Sequence, residues 1–573
     1  MVVYSVSSFD RLLAVPCSTT RMLSFILDFW TEDVLRLFNI SQDLYRVIKA
    51  AILQFYSPGI QKEKLDYNCI NFKLNGYPFA YSKPVFVKRD DHKIFCDTLC
   101  QMLQNLSFVG WEASMALNLN SCNTLSSIFF KRSDSEEHKV YSAVNLYMSN
   151  KMQLINCSDE VFTAVLQCCR KMWSPGVTTT DSGRFSDASL SNSFTIQLGK
   201  TPWESSNKAS STDCALLMME LFTCLRCMGL NFEFACHLSN NAQQTLIFSK
   251  KVAITNSCVE RDLMTSQFNS SAGLCAFNFS HHNRLELVMA PKELEDLVTD
   301  IITNHEFQTT NIQSSERINA ASQVFKLNSK PWNPPVEPEV VLLVNNIVNN
   351  TWSQLGWQSL VSLDISRIGN SNTSLLLMEK DEFWKPSSIC CVYFHASYKL
   401  LKNRFFISIF NFDIDHLRLL VDKISSTFRV KKWETIQYPS QGEGTSQRAL
   451  YQRWKTKQSW FRWEFETDVW TTCCHTSMCD RRYTQLRMLQ LYLFDQITSK
   501  CYEPMQINTS LVSGPCKQMR HSLHPFVDVV FFKKSTGAPN TATATNSACY
   551  TNHTPSSNDD YSLGSADSKS STT

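Results

Sequence analysis

Glycine is scarce in this sequence, with 15 residues among 573, well under the usual ~7%. The patterns G-x-G-x-x-G and G-x-x-x-x-G-K-[ST] are both absent, which excludes the common glycine-rich loops that hold phosphates. No apolar run of about 18 residues occurs, so a membrane-spanning helix is not expected. Residues 1–11 lack a basic region followed by an apolar stretch, so a cleaved secretion signal is not expected either.

The sequence also carries little net charge. Lys and Arg (55) nearly balance Asp and Glu (52), leaving +3, which argues against a surface built entirely for nucleic acid or anionic membrane. The 43% of hydrophobic residues and 19% of charged residues predict globular domains, and the length predicts several of them. The 22 cysteines are scattered through apolar stretches, which indicates reduced thiols and a location in the cytosol or nucleus.

An internal repeat is present. The stretch from Phe72 to Phe79 reappears from Ile196 to Trp203 and from Phe325 to Trp332, each time with a proline before the last aromatic residue. The copies recur at intervals close to one domain length, which indicates that the repeating unit is a whole domain. A degraded fourth copy of this stretch is expected to end at Trp460.

Two amphipathic helices are predicted in each copy. Apolar residues at i, i+3, i+4 and i+7 predict first helices that begin near Leu44, Val161, Leu294 and Leu417. Ser41 and Ser158 stand where N-cap residues accept hydrogen bonds from the first free N–H groups. The second helices are expected to stop at glycines, which adopt the left-handed conformation at little cost; these are Gly110, Gly229 and Gly356.

These signals predict an α+β protein of four tandem, divergent units. Each unit should have the order β-β-α-β-α-β-β, a mostly antiparallel sheet covered by two helices, and an interior of its own. The predicted units are 19–132, 138–251, 270–381 and 386–534. Residues 535–573, rich in Ser, Thr, Asn and Asp, predict a disordered tail. The stretches Val177–Ser193, Thr255–Ala272 and Pro439–Gln447 are interpreted as linkers or surface loops.

The segment from Arg448 to Trp463 combines cations with aromatic rings and contains no acid. Cations bind phosphates and flat rings stack on unpaired bases, so this composition suits single-stranded DNA or RNA. It also suits a membrane headgroup layer, although a membrane surface is not an expected partner of this chain. The alternative is a basic linker that runs into a strand. The candidate binding residues here are Arg448, Arg453, Trp454, Lys455, Lys457, Trp460, Arg462 and Trp463.

The tryptophans of the repeated stretch, Trp203 and Trp332, are two further candidates, because an exposed tryptophan is a good anchor for a partner. The alternative is that each proline ends a strand and the ring covers the open edge of a core. That alternative is the favoured one.

The densest cluster of soft metal ligands consists of Cys473, Cys474, His475 and Cys479. Four such side chains could close a zinc site, and Cys474 with His475 could form a nucleophile pair. The spacing argues against the zinc site, because adjacent cysteines seldom ligate one ion. Nothing local identifies an orienting group or an oxyanion hole for the nucleophile pair. Cys224 and Cys227 form a lone C-x-x-C without a second pair. No cofactor is expected.

The leading functional prediction is a non-enzymatic scaffold or adaptor, because four related units on one chain offer several similar surfaces to protein partners. Nucleic-acid binding through residues 448–463 is the alternative. A cysteine or zinc enzyme at Cys474 and His475 is a second alternative.

Overall fold

The computed structural model describes the chain in segments. The described residues are 24–66, 69–79, 90–117, 125–133, 138–147, 149–183, 192–203, 208–238, 244–252, 273–280, 283–303, 312–328, 332, 338–364, 374–387, 389–399, 402–412, 420, 424, 430–436, 460–465, 479–500, 502–505 and 527–534. The predicted tail, 535–573, lies outside them.

Units one and two each form a six-stranded antiparallel sheet with two helices. The elements of unit one are β1 (Ser24–Trp30), β2 (Val34–Phe38), α1 (Gln42–Phe55), β3 (Ile60–Asp66), β4 (Cys69–Leu74), α2 (Asp90–Phe108), β5 (Trp111–Leu117) and β6 (Ser127–Arg132). Those of unit two are β7 (His138–Tyr147), β8 (Lys151–Ile155), α3 (Asp159–Met172), β9 (Val177–Gly183), β10 (Ser193–Leu198), α4 (Lys208–Cys227), β11 (Asn231–Cys236) and β12 (Gln244–Val252).

Units three and four repeat this arrangement. Unit three contains β13 (Leu274–Ser280), β14 (Arg284–Val288), α5 (Lys292–Thr303), β15 (Ile312–Asn319), β16 (Ser322–Leu327), α6 (Pro338–Leu355), β17 (Trp357–Asp364) and β18 (Ser374–Lys380). Unit four contains β19 (Ile389–Lys399), β20 (Lys402–Phe410), β21 (Val430–Ile436), β22 (Trp460–Phe465), α7 (Cys479–Thr498), β23 (Tyr502–Pro504) and β24 (Val527–Lys534), and is helical at Leu420 and Ile424.

The predicted α+β repeat is confirmed, and each unit has one strand more than predicted. All four sheets share one strand order, which in unit one is β3-β4-β2-β1-β6-β5. The additional strand is the edge strand β3, β9, β15 or β21. It escapes a search for apolar alternation because the side chains of an edge strand are largely exposed and polar. The prediction that Val177–Ser193 is only a loop or linker was therefore wrong, since Val177–Gly183 is β9.

The register of unit four also corrects the sequence alignment. Trp460 begins β22 and lies opposite Phe410, whereas Trp463 lies opposite Ile407. In unit one, Phe72 of the repeated stretch lies opposite Leu35. The residue that matches Phe72 is therefore Trp463, so the fourth copy of the repeated stretch begins at Trp463 and does not end at Trp460.

Local signals at the helix ends behave as predicted. The hydroxyls of Ser41 and Ser158 accept hydrogen bonds from the amides of Leu44 (3.3 Å) and Val161 (3.4 Å). The glycines after the second helices have positive φ, +76° at Gly110 and +77° at Gly229, as a left-handed C′ residue requires.

The interiors are shared between units, which corrects the expectation of four separate cores. The helices of unit one lie between their own sheet and the far face of the next sheet, where Tyr141 and Ala143 join the same buried cluster. Units two and three share a second cluster, and units three and four share a third. A fourth cluster joins α7 to the far face of the first sheet through Ile26 and Phe129. The four units therefore pack as a closed cycle, and we call the contact between units four and one the closing seam.

Candidate interaction surfaces

A buried ion pair lies at the closing seam. A guanidinium nitrogen of Arg487 on α7 lies 3.2 Å from a carboxylate oxygen of Asp28 on β1, and both side chains are 0% exposed. Arg487 also donates to Gln490 (2.8 Å), and Ser127 donates to Asp28 (2.5 Å). Two charges are costly to bury unless each is paired and hydrogen-bonded, so this cluster fixes how α7 sits on the first sheet.

The contact between units one and two and the contact between units two and three are also seams of this kind. Each carries a polar cluster at the matching position of its first strand; the first cluster is uncharged, and the second contains one charged residue, Glu286. Asn145 lies opposite Gln153 in unit two, as Asp28 lies opposite Arg36 in unit one. The amide nitrogen of Asn145 lies 3.1 Å from Nε2 of His92 on α2, and its amide oxygen accepts from Thr245 (3.1 Å).

His92 is held in its neutral form by this arrangement. Its Nδ1 lies 2.8 Å from the carbonyl oxygen of Pro78, which requires a proton on Nδ1 and leaves Nε2 as the acceptor for Asn145. Burial lowers the pKa of His92, and the hydrogen bond to Pro78 opposes this effect.

In unit three, Asn278 and Glu286 take the positions of Asp28 and Arg36. Glu286 accepts hydrogen bonds from Ser322 (2.7 Å), Asn278 (3.1 Å) and Thr212 on α4 of unit two. The three seams therefore have different polar residues at the same position of the paired strands.

The two edges of each sheet have different surroundings. Edge strands β5 and β11 contact each other, as do β11 and β17. The amide of Ser126 donates to the carbonyl of His237 (2.9 Å), which joins units one and two directly. The opposite edges, β3, β9, β15 and β21, each have one strand neighbour among the described residues. We call these four the outer edge strands.

The outer edge strands differ in chemistry. β3 carries Lys62, Glu63 and Lys64, and β15 carries Glu316 and Arg317. β9 instead presents the uncharged run of exposed residues 178–180, all threonine. An edge strand can pair with an added strand through its free N–H and C=O groups, and charged side chains hinder such pairing. β9 contains one charged residue, Asp181, whereas β15 contains two and β3 contains four, so β9 is better suited to accept a strand.

The candidate tryptophans lie in the cores. Trp203 is 0% exposed and Trp332 is 1% exposed. Their indole nitrogens donate to the carbonyls of Lys151 (3.2 Å) and Arg284 (3.1 Å). The burial favours the interpretation that each ring covers its core, and a partner could reach these two rings only after the core had opened.

The structure describes one end of the basic-aromatic segment. Trp460, Arg462 and Trp463 belong to β22, and Trp463 is buried. Arg448, Arg453, Trp454, Lys455 and Lys457 lie outside the described residues, in the connection from β21 to β22. That connection spans residues 437–459, whereas residues 67–68 and 320–321 suffice in units one and three. The greater part of the segment is therefore an insertion relative to the repeat.

The described part of the chain includes only one residue of the predicted soft-ligand cluster. Cys479 begins α7, and Cys473, Cys474 and His475 lie outside the described residues. Among the residues that the structure describes, no group of three metal-ligating side chains occurs. Cysteines of the described residues are free thiols, most of them buried. Burial raises the pKa of Cys169 to about 12, so its thiolate is a rare species at neutral pH.

The sequence reasoning missed Phe383, which is 90% exposed. It lies in the junction between units three and four, where the sequence reads Asp381-Glu382-Phe383-Trp384. Two adjacent aromatic residues beside a unit boundary were the available signal. Phe383 is not a member of the buried cluster that units three and four share.

The comparisons with known proteins concern the repeat itself. A model of one domain family matches the chain three times, at residues 24–132, 140–250 and 274–381. Neither the curated proteins nor the solved structures give a match. In the described part of the chain, no helix has both the length and the apolar character needed to cross a membrane. The three matched stretches make up more than half of the chain, which therefore belongs to this family of repeated domains.

Proposed function

We propose that the protein is a non-enzymatic scaffold, located in the cytosol or nucleus, that binds several protein partners around one closed body. The observation that supports this proposal is that the two edges of a sheet differ: one edge contacts neighbouring units, and the opposite edge does not pair with a further strand among the described residues. The edge strands β5, β11 and β17 contact one another between units, and beside them the amide of Ser126 donates to the carbonyl of His237. The outer edge strands repeat around the cycle with different side chains.

A closed cycle also gives the surfaces fixed relative positions. The helix pairs of units one and two are each packed between two sheets, so these units cannot move freely against their neighbours. Several weak contacts held at fixed spacing can gain ~10² to 10⁴ in avidity when a partner engages them together. Divergent edges favour different partners at different units.

The experiment uses single charges on the outer edge strands of the full-length protein. Deletion of a unit is unsuitable, because it would expose two apolar surfaces at once. Thr179→Lys on β9 and Ser315→Lys on β15 change exposed residues, so we expect the free energy of unfolding to change by less than about 0.5 kcal/mol. Thr163→Lys, on the exposed face of α3, is the matched control.

Affinity purification followed by mass spectrometry then compares the partner sets. We expect Thr179→Lys and Ser315→Lys to lose different partners, and Thr163→Lys to keep all of them. Partner sets that are the same for all four proteins would contradict a scaffold that works through these edges.

Nucleic-acid binding through residues 448–463 is the second candidate function. The supporting observation is that most of this segment is an insertion into the outer hairpin of unit four, so the repeat does not need it. Binding should weaken steeply with salt, because cations on the protein displace counterions from phosphates. The double variant Arg453→Ala with Trp454→Ala should abolish binding of single-stranded DNA or RNA in a gel-shift titration. Unchanged binding would remove this candidate.

A further inference from the structure

A chain of hydrogen bonds crosses the contact between units one and two, which we call the first seam. The hydroxyl of Thr245 donates to the amide oxygen of Asn145 (3.1 Å), and the amide nitrogen of Asn145 donates to Nε2 of His92 (3.1 Å). Nδ1 of His92 donates to the carbonyl oxygen of Pro78 (2.8 Å). Every group in this chain is uncharged, and each donor meets an acceptor only while His92 is neutral.

A second proton on His92 does not fit this chain. Protonation of Nε2 turns the acceptor into a donor, and the amide nitrogen of Asn145 that faces it is a donor as well. If the amide turns over, it accepts from the imidazolium, but the hydroxyl of Thr245 then loses its acceptor. In either case a positive charge is buried, since His92 is 7% exposed and Asn145 is 1% exposed, and an unpaired charge is costly to bury.

The titratable groups of α2 beside His92 are engaged elsewhere or stay neutral. Sγ of Cys96 lies 3.6 Å from Nε2 of His92. Burial, and after it the charge of Asp97, raise the pKa of this thiol, so it keeps its proton at neutral pH. The carboxylate of Asp91 accepts a hydrogen bond from the amide of Tyr77 (3.3 Å).

Unit two meets His92 with groups that are neutral or already paired. Burial raises the pKa of the titratable side chains that unit two places at this seam, which are Tyr141, Cys157 and Cys236. The ammonium group of Lys139, near the start of β7, pairs with the carboxylates of Glu112 (3.4 Å) and Glu233 (3.2 Å). An imidazolium at position 92 would therefore enter an uncharged part of the seam.

The other two polar clusters differ from that of the first seam, because they contain no histidine. The closing seam pairs Arg487 with Asp28, and a guanidinium keeps its charge at any pH near neutrality. In the seam between units two and three, Glu286 accepts from hydroxyl and amide donors. Asp495 on α7 even has the opposite response, because burial raises its pKa to about 6, and its contribution to stability grows as the pH falls.

We propose that mild acid weakens the first seam, with His92 as the group that takes up the proton and Asn145 as its partner across the seam. Separation of α2 from the second sheet uncovers apolar side chains that the two units share, among them Ala143, Phe234 and Ile247. The cycle then opens at the first seam while the closing seam holds. This inference does not depend on the scaffold function, because it concerns a contact within one chain.

Native-state hydrogen exchange of the full-length protein at pH 7 and pH 5 tests this proposal, with the intrinsic exchange rates corrected at each pH. Burial lowers the pKa of His92, so the folded state binds this proton less tightly than the unfolded state, whose histidine pKa is about 6.5. Each pH unit below that value raises the equilibrium constant for opening by up to ~10-fold. Amides of α2 should therefore lose protection by ~10- to 30-fold at pH 5, and amides of α7 should not.

Three variants identify the group that responds. His92→Gln keeps a donor and an acceptor but cannot be protonated, so α2 should lose less than ~3-fold in protection. Asn145→Asp supplies the carboxylate that unit one has at Asp28, so it should pair with the imidazolium and also remove most of the loss. The control His237→Gln replaces a buried histidine outside this chain, whose Nε2 lies 3.4 Å from the amide nitrogen of Gln244, and should keep the wild-type loss.

Two results would overturn the proposal. One is wild-type protection of α2 that does not fall between pH 7 and pH 5. The other is a loss in His92→Gln or in Asn145→Asp that equals the wild-type loss; Asn145→Asp decides the matter by itself if His92→Gln does not fold. Neither result bears on the scaffold proposal, which is tested separately at the outer edge strands.

Discussion

The ion pair at the closing seam gives the sharpest quantitative prediction. Arg487→Met keeps much of the apolar length of the side chain but leaves the Asp28 carboxylate 0% exposed and opposite a thioether. Removal of one partner from a buried pair costs about 3–5 kcal/mol. Ser127 still donates to Asp28, which places the expected loss at the lower end of that range.

The assay is native-state hydrogen exchange of amides in α7, which reports the free energy of opening at this seam. Arg487→Met should lower that free energy by about 3 kcal/mol. The double variant Asp28→Asn with Arg487→Met should recover most of the loss, because the neutral amide no longer needs a counterion. The control Arg170→Met, on the exposed face of α3, should change little. A loss at Arg487 that is no larger than the loss at Arg170, or a double variant no more stable than Arg487→Met alone, would refute the reasoning.

Three further predictions concern single positions. Gly356→Ala should lower the free energy of unfolding in urea by more than Gly59→Ala does. Both glycines have positive φ, but a Cβ at position 356 would clash with the ring of Trp384, whereas nothing lies within 4 Å of a Cβ at position 59. Equal losses would contradict the close contact between Gly356 and Trp384. Burial raises the pKa of Asp495 to about 6, so the folded state binds this proton more tightly than the unfolded state does. Stability therefore falls as the pH rises from about 4 to 6. Asp495→Asn should be more stable than wild type at pH 7 in thermal unfolding. Iodoacetamide should modify the exposed Cys227 before the buried Cys169 in the native protein, as peptide mapping would show, and the reverse order would contradict the described burial.

The sequence predicts the local part of this fold well, because the relevant signals act over a few residues. Ser41 caps α1 from three residues away, and Gly110 ends α2 where a positive φ is needed. The apolar stripe of Leu44, Ile48 and Ile52 faces the core as its helical spacing requires. The sequence also favoured the interpretation that the rings of Trp203 and Trp332 cover a core, and both rings are buried.

The closure of the cycle could not be predicted in this way. Arg487 and Asp28 are separated by 459 positions. Asp28 is an acid in an otherwise apolar strand, but its local stretch does not show which residue is its partner. The far faces of the sheets were missed because strands such as β1 are apolar on both sides, and a continuous apolar run does not reveal how many layers cover it. β9 was missed for the opposite reason, since an exposed strand of threonines resembles a loop.

The central claim is that unit four packs on unit one, and photo-crosslinking from Phe494 tests it most directly. The ring of Phe494 on α7 lies 5.0 Å from that of Phe129 on β6, measured between centroids. With p-benzoylphenylalanine at position 494 of the full-length protein, mass spectrometry should identify crosslinks within one chain to the peptide that contains Phe129. Crosslinks confined to unit four, or formed only between two chains, would contradict a closed cycle of four units.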